Sequence, residues 1–476
     1  MPDKRFLRRK TKIVCTLGPA TSSDQVIKSL IRAGMDVARL NFSHGTHSEH
    51  LKTIETIRRA SAELGRDVAI IQDLPGPKFR IGSIKGGSVM LKRGERITLT
   101  ASPTRSESAI PLREASLPKL VQKGSKIFLS DGSIGLRVEN VSKDEIHCIC
   151  LNGGQLFSGK GVNIPRLAGK LETFTKADRS HALFGLKNGV DMIAVSFVRS
   201  ADDIKQVRAF VSRHSRNPPW IIAKIEKREA LEDLGNIIRN SDGVMVARGD
   251  LGVENPIEQI PEIQKRIISL CNENSKPVIT ATQMLESMVE NPRPTRAEVT
   301  DVANSIFDGT DAVMLSEETA VGRYPVECVR VLHKVALNAE ERMGDERISL
   351  NEYSADIGEA ASLGAIRIAK DVRAHALITP TDDGEVACRL ARFKPRAPII
   401  AVTANRETAK RLKLAWGVNS LLASSSNLDE MLREALNTLT KFGVLEEGDR
   451  AVVFCDSMDF LKQEGKLLFV TNVRLR

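Results

Sequence analysis

The chain has 476 residues, a hydrophobic fraction of 41% and a formal net charge of +10. This length predicts more than one domain, and this hydrophobic fraction can form their cores, which excludes a disordered protein. Aromatic residues make up only 4%, so platforms on which bases could stack are scarce and nucleic acid is not expected as a partner. The positive charge is spread along the chain and instead favours an anionic small-molecule ligand.

The sequence carries no sign of export or of a membrane partner. No run approaches the roughly 18 apolar residues of a membrane span, and the basic residues 1–10 are not followed by the apolar segment of a secretory signal. The seven cysteines are scattered, without CxxC or zinc spacing, which predicts reduced core thiols. We therefore expect a cytoplasmic protein.

Short apolar runs alternate with amphipathic segments over much of the chain, a pattern typical of strands and helices in a parallel sheet. Three strands are predicted in the first 75 residues, at Lys12–Leu17, Val37–Phe42 and Val68–Gln72. Five more follow residue 170, at Met192–Phe197, Ile221–Ile225, Gly243–Ala247, Val278–Thr282 and Ala312–Leu315. Eight such units predict a TIM (β/α)8 barrel, an α/β fold, formed by residues 1–75 and 171–345.

Two further domains are predicted. Residues 76–170 contain short alternating strands joined by glycine turns, which predicts a small β-barrel inserted into the first domain as a lid. Residues 346–476 return to alternating strands and helices and predict a C-terminal three-layer α/β domain. Its strands are expected at Ala376–Thr379, Ile399–Thr403, Ser420–Ala423, Ala451–Cys455 and Lys466–Val470.

Polar residues follow every predicted barrel strand, at the end where the active site of a TIM barrel forms. They are Thr16 with Pro19, Arg39 to His44, Asp73 with Lys78 and Arg80, Ser196 with Arg199, Lys224 with Glu226, Arg248 to Asp250, Thr282 with Gln283, and Ser316 with Glu318. A local ion pair or turn explains any single pair of these residues equally well. The complete series predicts one convergent site.

The chemistry of the series is that of phosphoryl transfer with a divalent metal. Glu226 and Asp250 are hard oxygen ligands suited to Mg²⁺. Lys224 lies two residues from Glu226, hence on the same strand face, where its ammonium can neutralise a transferring phosphoryl group. Gly249 permits close backbone approach to an anionic ligand, and two arginines of the series can clamp phosphates.

Two other clusters are open to more than one interpretation. His44, His47 and His50 have a spacing that suggests zinc ligands, but no cysteine is near in sequence, and Thr46 with Glu49 favours the start of a helix. The basic residues between Arg389 and Lys413 favour a solvated face or interface, with an effector-phosphate site as the alternative.

Long stretches of the chain resemble the pyruvate kinase family. The matching strings occur in order from residue 11 to about residue 325: TKIVCTLGPAT, ARLNFSHGTHSEH, DLPGPKFR, AKIEKREA, DGVMVARGDLGVE, ITATQMLESM and NPRPTRAEVTDVANSIFDGTDAVMLSEETAVGRYP. The resemblance implies an enzyme of glycolysis that transfers phosphate from phosphoenolpyruvate to ADP, giving pyruvate and ATP. It also implies Mg²⁺ or Mn²⁺ as cofactor and a homotetramer.

The resemblance also implies roles for single residues. Glu226 and Asp250 match the metal carboxylates, and Lys224 matches the lysine that stabilises the phosphoryl group in flight. The positions that match substrate-binding residues are Arg39, Lys224, Gly249, Asp250 and Thr282. Those that match nucleotide-binding residues are Asn41, Phe42, Ser43, His44 and Arg80, with Lys160 and Pro19 as further candidates. Thr282, supported by Ser316 and Glu318, matches the group that protonates the enolate through water. The expected catalytic residues are therefore Lys224, Arg39, Thr282, Ser316 and Glu318.

The monovalent-cation region departs from the family pattern. In K⁺-dependent members the ion is bound at positions matching Asn41, Ser43, Asp73 and Leu74, with a nearby glutamate. Lys78 takes the place of that glutamate here, and Leu74 that of a threonine. Because a tethered ammonium can replace a mobile cation electrostatically, we expect an enzyme that does not require K⁺.

The effector loop of the C-terminal domain also departs from the pattern. Family members activated by fructose 1,6-bisphosphate carry a phosphate loop of Ser, Thr, Lys and Gly, whereas here Thr379 is followed by Pro-Thr-Asp-Asp-Gly-Glu. The acidic residues repel phosphate, and the loop Asp456–Asp459 lacks basic residues as well. We expect no activation at that place, while a sugar-phosphate or nucleotide effector could act through the face between Arg389 and Lys413.

Two other functions compete with this prediction. A Mg²⁺-dependent lyase or aldolase acting through a pyruvate enolate would use the same carboxylates, with Lys224 as a neutral base, but it would leave the nucleotide-facing residues without a purpose. A non-catalytic, basic nucleic-acid-binding paralogue predicts losses at the strand ends, and none is found at the metal or lysine positions.

Overall fold

The computed structural model describes residues 8–102, 109–130, 132–165, 172–343, 356–455 and 466–473. Eight parallel strands form a closed barrel in which each strand pairs with its neighbours in chain order and the eighth pairs with the first. The strands are Lys12–Leu17, Val37–Asn41, Ala69–Asp73, Met192–Val195, Trp220–Ile225, Gly243–Ala247, Val278–Ala281 and Ala312–Leu315. The predicted (β/α)8 barrel is confirmed.

Helices cover the outside of the barrel. The longer ones are Asp24–Ala33, His47–Leu64, Lys176–Lys187, Ala201–His214, Ile260–Glu273, Arg296–Asp308 and Pro325–Arg342, and the short ones are Arg228–Glu232, Leu234–Asn240, Arg248–Glu254 and Glu317–Ala320. One set of strand side chains packs against these helices, and the other set, which includes Val14, Ile71 and Met245, fills the barrel interior. Because both faces are buried, each strand is a continuous apolar run, and the predicted strand bounds agree with the observed ones to within about two residues.

Two of the helices start where a threonine is followed three residues later by glutamate. Thr46 and Thr295 accept a hydrogen bond at Oγ1 from the amides of Glu49 and Glu298, and each glutamate carboxylate accepts one from the amide of its threonine. These reciprocal bonds satisfy amides that have no partner within the helix. The local sequence therefore fixes where both helices begin.

The inserted segment is all-β, as predicted. Its strands are Phe79–Arg80, Ser88–Leu91, Arg96–Thr100, Ile110–Pro111, Lys126–Leu129, Ile134–Val141, Glu145–Cys150, Gly154–Phe157 and Gly161–Asn163. Seven of them form one sheet, whereas the second and the eighth pair only with each other within the described ranges. The amide of Gly82 bonds to the carbonyl of Pro111 and the amide of Arg113 to the carbonyl of Arg80, which joins the two edge strands of the seven-stranded sheet, Phe79–Arg80 and Ile110–Pro111. The sheet therefore closes around a core of its own, and the predicted small β-barrel is confirmed.

The C-terminal domain has a five-stranded sheet with helices on both faces, the predicted three-layer arrangement. Its strands are Ala376–Pro380, Ile399–Thr403, Val418–Leu422, Arg450–Cys455 and Leu467–Asn472, and its helices are Ile357–Asp371, Glu385–Ala391, Arg406–Arg411 and Leu428–Lys441. The first four strands are parallel and the last is antiparallel.

Side chains connect both additional domains to the barrel. Asn163 Nδ2 of the inserted domain lies 3.3 Å from Asp250 Oδ1, and Lys12 Nζ of the first barrel strand donates to the carbonyl of Val418 at 2.6 Å. The predicted domain limits at residues 170 and 345 lie outside the described residues and stay predictions. None of the helices in the described ranges has the length and apolar content needed to span a membrane.

Candidate active site

Lys224 lies at the centre of the polar residues that the strand ends bring together. Its Nζ is 2.9 Å from Glu226 Oε1, 3.2 Å from Asp73 Oδ1 and 2.7 Å from Ser196 Oγ. Burial alone would lower the pKa of Lys224, but the carboxylates of Asp73 and Glu226 outweigh it, and the pKa lies above its usual value. The third, fourth and fifth strands thus meet at one buried, charged ammonium.

Asp73 holds a second cation next to Lys224. Its Oδ2 accepts a hydrogen bond from Arg39 Nε at 2.7 Å, and Arg39 Nη1 donates to Thr16 Oγ1 at 2.9 Å. Burial alone would raise the pKa of Asp73, but Lys224 and Arg39 lower it below its usual value, so the carboxylate is ionised. Asp73 therefore fixes the relative positions of the lysine and the arginine.

Glu226 and Asp250 form the candidate metal site. Glu226 Oε2 accepts a hydrogen bond from the amide of Phe197 at 2.7 Å, and Asp250 follows the sixth strand in the first turn of a short helix. The pKa of Glu226 is raised by burial, lowered by Lys224 and raised by the negative charge of Asp250, and overall it lies above its usual value. A buried carboxylate and a half-buried one that repel each other suit a divalent cation.

The residues at this place fit Mg²⁺ better than they fit a metal whose ligands all come from protein side chains. Within the described ranges, no group of three or more His, Cys, Asp or Glu side chains is arranged to hold a metal ion. Mg²⁺ commonly takes one or two carboxylates and completes its coordination with water and substrate oxygens. Glu226 and Asp250 would supply that pair.

The loop after the seventh strand has an unusual backbone. Thr282 and Gln283 have φ angles of 68° and 55°, a left-handed conformation that costs a residue other than glycine roughly 1–3 kcal/mol. Thr282 Oγ1 accepts a hydrogen bond from the amide of Gly249 at 2.9 Å. The predicted substrate residues Gly249 and Thr282 are thus in direct contact.

Arg248 holds this loop in place, a role that the sequence did not reveal. Its Nη2 donates to the carbonyl of Thr282 at 2.7 Å, and its Nη1 lies 2.7 Å from Asp301 Oδ2. A third bond joins Nε to the carbonyl of Ala281 at 3.3 Å. In the sequence, Arg248 is a lone arginine in a turn. Its main partner, Asp301, lies 53 residues away in the chain.

Replacing Arg248 with lysine is expected to lower kcat/KM for phosphoenolpyruvate by about 10- to 100-fold. Lysine cannot bond to Asp301 and to the loop carbonyls at once. The hydrogen bonds that are lost involve charged groups, and such bonds contribute about 1.5–3 kcal/mol. Steady-state kinetics would measure the loss. Arg239→Lys, at an exposed arginine that bonds Asn236, is the matched control. Wild-type kinetics for Arg248→Lys would show that the loop holds its shape without Arg248.

Ser316 and Glu318 lie where the eighth strand ends. Glu318 Oε1 accepts from the amide of Leu285 at 3.0 Å and Oε2 from the amide of Ser316 at 2.6 Å. Burial raises the pKa of Glu318, and these amides offset only part of the effect. The buried Oγ of Ser316 has no hydrogen-bond partner among the described residues. A buried hydroxyl without a partner is a place where bound water is expected.

The predicted nucleotide residues lie in the loop after the second strand and on the inserted domain. Asn41 Oδ1 accepts from the amide of Ser43 at 3.1 Å, and Arg80 Nη1 donates to the carbonyl of Gly159 at 3.1 Å. Burial lowers the pKa of His44, and the nearby cations Arg80, Lys78 and Arg39 lower it further. This gathering of cations suits the phosphates of a nucleotide. Pro19 lies in an exposed 3-10 turn after the first strand, and Lys160 directly precedes the strand Gly161–Asn163.

Phe42 is packed into the barrel wall. Its ring is 5% exposed and stacks on the ring of His50, with centroids 4.0 Å apart. His50 Nε2 lies 2.9 Å from the carbonyl of His44, and His47 Nε2 lies 2.8 Å from His181 Nδ1. Any contact of Phe42 with a nucleotide would therefore have to come from its backbone, and the histidines of the zinc-like spacing bond to other protein atoms.

Lys78 is brought toward the site by a tight turn. Gly76 has φ +64°, and a Cβ there would lie 2.9 Å from the ring of Phe197, so the turn requires glycine. A Cβ at Gly161 would lie 3.1 Å from Lys78 Cε, so this glycine leaves room for the lysine side chain. Leu74 is 1% exposed, and its apolar side chain cannot serve as a cation ligand.

A (β/α)8 barrel with a buried ammonium, two carboxylates and a cluster of cations at its strand ends has the arrangement expected of an enzyme that transfers phosphoryl groups with a divalent metal. The model of the pyruvate kinase barrel domain matches residues 8–329, and that of the pyruvate kinase alpha/beta domain matches residues 359–464. The chain belongs to the pyruvate kinase family.

Individual relatives agree with this assignment. The chain is 45% identical over 454 residues to the pyruvate kinase of Geobacillus stearothermophilus, covering 94% of this chain and 77% of the relative. It is 44% identical over 453 residues to the pyruvate kinase of Thermococcus litoralis, covering 93% and 94%. The crystal structure of a pyruvate kinase from Cryptosporidium parvum superposes with a TM-score of 0.90 at 37% identity and covers 100% of this chain and 98% of that one.

The enzyme therefore has pyruvate kinase activity, the glycolytic transfer of phosphate from phosphoenolpyruvate to ADP that gives pyruvate and ATP. The family carries a requirement for a divalent metal. Neither the lyase nor the nucleic-acid-binding alternative is favoured by these relatives.

Proposed function

We propose that Glu226 and Asp250 hold the divalent metal, that this metal is Mg²⁺ or Mn²⁺, and that Lys224 stabilises the phosphoryl group during transfer. The observation that carries the proposal is the contact of Lys224 Nζ with the Glu226 carboxylate at 2.9 Å, which puts the ammonium beside the metal carboxylate. When bound, the metal neutralises charge on the phosphate and carboxylate oxygens of the substrate. Arg39, oriented by Asp73, binds the phosphate of phosphoenolpyruvate.

The remaining substrate roles fall to the loops after the sixth and seventh strands. Gly249, Asp250 and Thr282 form the surface that binds the carboxylate of the substrate. After transfer, Thr282 passes a proton to the enolate through water that bonds to Ser316, whose buried hydroxyl lacks a protein partner among the described residues. Glu318 holds the Ser316 amide in place.

The nucleotide is assigned to the cations around His44. Arg80 and Lys160 bind the phosphates of ADP, and Asn41, Ser43 and the backbone of Phe42 form the adjoining surface, with Pro19 at its edge. Lys78 supplies the charge that K⁺ supplies in other members of the family, so K⁺ is not required. A homotetramer, a cytoplasmic location and an allosteric effector also remain predictions.

Glu226→Gln tests the metal assignment directly. Loss of an outer-shell partner costs a metal site about 10- to 100-fold in affinity, so loss of a ligand should raise the half-saturating concentration of Mg²⁺ by at least about 100-fold. A coupled assay with phosphoenolpyruvate and ADP would measure activity. A titration with Mn²⁺, detected by electron paramagnetic resonance, would measure metal binding. Glu232→Gln, at an exposed residue, is the control. Unchanged Mn²⁺ affinity in Glu226→Gln would remove Glu226 from the site.

Fructose 1,6-bisphosphate is expected to leave the saturation curve for phosphoenolpyruvate unchanged. The amide of Glu385 is bonded to Asp383 Oδ1 at 2.9 Å and that of Gly384 to Thr381 Oγ1 at 2.9 Å, so these amides are already used and carboxylates surround them. The loop Asp456–Asp459 lies outside the described residues. Titration of the sugar bisphosphate against the saturation curve is the measurement, and a clear shift to lower phosphoenolpyruvate concentrations would contradict the expectation.

A further inference from the structure

Lys227 directly follows Glu226 in the chain, but its side chain contacts a different group of residues. Its backbone is extended, and successive side chains of an extended chain point to opposite sides. The Lys227 ammonium forms an ion pair with Glu254 and lies over the ring of Phe197, 5.5 Å from the centroid. The proposed phosphoryl transfer gives this lysine no role, so its contacts call for another explanation.

Phe197 connects Lys227 to the carboxylate of Glu226. The amide of Phe197 donates to Glu226 Oε2 at 2.7 Å, and the residue presents this amide from a φ of 58°, a strained conformation for a bulky side chain. The ring lies close to Gly76, where a Cβ would be 2.9 Å away. A cation within about 6 Å of a ring centroid attracts the ring. Lys227 and Gly76 thus restrict where the ring, and with it the amide, can lie.

The other metal carboxylate lies in a short helix that needs support from outside. The helix Arg248–Glu254 has seven residues, two of which are glycines, and so short a segment is not stable by itself in water. At its start, the first residue bonds to the carbonyls of the loop after the seventh strand. At its end, the Glu254 carboxylate pairs with Lys227. Asp250 lies between these two anchors.

The ion pair of Lys227 and Glu254 is largely shielded from water. The side chain of Glu254 is 2% exposed and that of Lys227 is 20% exposed. Buried charges are screened much less by salt than exposed ones, whereas an exposed pair contributes little. This pair therefore holds the end of the helix more firmly than a surface pair would.

Lys227 also borders a small cavity between the barrel and the inserted domain. The cavity has a volume of about 50 Å³, and Lys78, Asn163 and Phe197 line it as well. Such a space holds water molecules, whereas sites for small molecules measure about 300–1,000 Å³. The surroundings therefore favour an action of Lys227 on the protein and not on a bound nucleotide.

We propose that Lys227 is a positioning residue for the divalent metal. Through Phe197 it fixes the carboxylate of Glu226, and through Glu254 it fixes the helix that carries Asp250. One side chain thereby sets the spacing of both metal carboxylates. The proposal rests on the proposed assignment of the metal to Glu226 and Asp250.

The test is the double variant Lys227→Met with Glu254→Gln. The two changes remove one positive and one negative charge, so the net charge near the metal stays the same and only the positioning is lost. Mn²⁺ is expected to bind about 10- to 100-fold more weakly, the usual cost of losing a residue that holds a metal ligand in place. Electron paramagnetic resonance would measure the binding on the full chain, without substrate or nucleotide.

The matched control is the double variant Arg58→Met with Asp191→Asn. It removes a pair of similar burial, in which the side chains are 27% and 4% exposed. Asp191 precedes the fourth strand, so this pair lies at the end of the barrel opposite to the metal. The control is expected to bind Mn²⁺ like the wild type even if its melting temperature falls. An equal loss of Mn²⁺ affinity in the control would show a general structural effect and overturn the proposal.

Lys227→Arg is the conservative variant. Its charge reaches both Glu254 and the ring of Phe197, so it is expected to retain most of the Mn²⁺ affinity. A loss as large as that of the double variant would contradict the proposed role of the charge.

Activity at different metal concentrations gives a second readout. In the double variant the half-saturating concentration of Mg²⁺ is expected to rise by the same factor as the dissociation constant of Mn²⁺, while kcat at saturating Mg²⁺ stays close to that of the wild type. A raised KM for ADP with unchanged Mn²⁺ affinity would instead place Lys227 at the nucleotide and overturn the proposal.

The double variant is expected to fold, because removal of both partners of a buried ion pair is often neutral for stability. If it does not fold, Lys227→Met alone carries the test. Its unpaired Glu254 carboxylate attracts Mn²⁺, so a loss of affinity there has to come from position, and an affinity at or above that of the wild type would overturn the proposal.

Glu226→Gln separates a failure of this proposal from a failure of the metal assignment. If Glu226→Gln loses Mn²⁺ affinity and the folded double variant keeps it, Lys227 is not a positioning residue and the metal site stands. If both keep wild-type affinity, the metal assignment itself is wrong, and the proposal falls with it.

Discussion

Lys224→Met is expected to lower kcat by about 1,000-fold. Loss of one preorganised donor at a developing charge costs about 100- to 1,000-fold, and Lys224 supplies a full positive charge in a buried site where water cannot replace it. Coupled-assay kinetics at saturating phosphoenolpyruvate and ADP would measure the loss. A kcat within about tenfold of wild type would exclude Lys224 from the stabilisation of the phosphoryl group.

Stability must be measured alongside activity for this variant. Removal of Lys224 leaves Asp73 without one of its two cations and Glu226 without its partner, and breaking a buried ion pair costs about 3–5 kcal/mol. Circular dichroism and thermal unfolding would show whether the purified variant is folded at the assay temperature. Lys205→Met removes an exposed lysine that pairs only weakly with Asp202 and is expected to retain wild-type kcat and stability.

Lys78→Glu is expected to make the enzyme dependent on K⁺. Without K⁺ its kcat should fall by about 1,000-fold, because the change removes a positive charge and adds a negative one. At an assumed separation of roughly 8 Å and an effective dielectric constant of 20, this change of two unit charges contributes about 4 kcal/mol. Added K⁺ should restore much of the activity, since the new carboxylate completes a cation site with Asn41, Ser43 and Asp73. The assay compares K⁺ with tetramethylammonium in otherwise identical buffer.

The wild type and a second variant serve as controls for this prediction. The wild type is expected to be equally active with either cation, and so is Lys92→Glu, which reverses an exposed charge on the inserted domain. If the wild type lost orders of magnitude of activity in tetramethylammonium and recovered it with K⁺, Lys78 would not be a substitute for the ion.

The sequence predicted the barrel and the location of its site well for a physical reason. Strands buried on both faces are uninterrupted apolar runs, so their ends, and the polar residues that follow, can be read directly. Lys224, Glu226 and Asp73 were therefore placed at strand ends before any contact was known, and the structure brings all three within bonding distance. The all-β character of the insertion followed from its alternating pattern in the same way.

Contacts between distant segments could not be predicted in this way. The pairing of Arg248 with Asp301 joins two elements whose relative position depends on the folded barrel. The motif that contains Phe42 predicts a nucleotide-binding residue, yet the ring of Phe42 packs on His50. Asp73 was assigned to a cation region, and only the fold shows it bound to Arg39 and Lys224 together. Long-range packing decides each of these cases.

The order in which the barrel strands occur in the chain has a consequence for folding during synthesis. The third strand pairs with the fourth across the whole inserted domain, Ile71 with Met192, and the first strand pairs with the eighth, Lys12 with Ala312. Such high contact order slows folding, and the barrel cannot close until the eighth strand has left the ribosome. Until then the first strand keeps an unpaired edge, so this stage is the one at which the nascent chain most needs protection from aggregation.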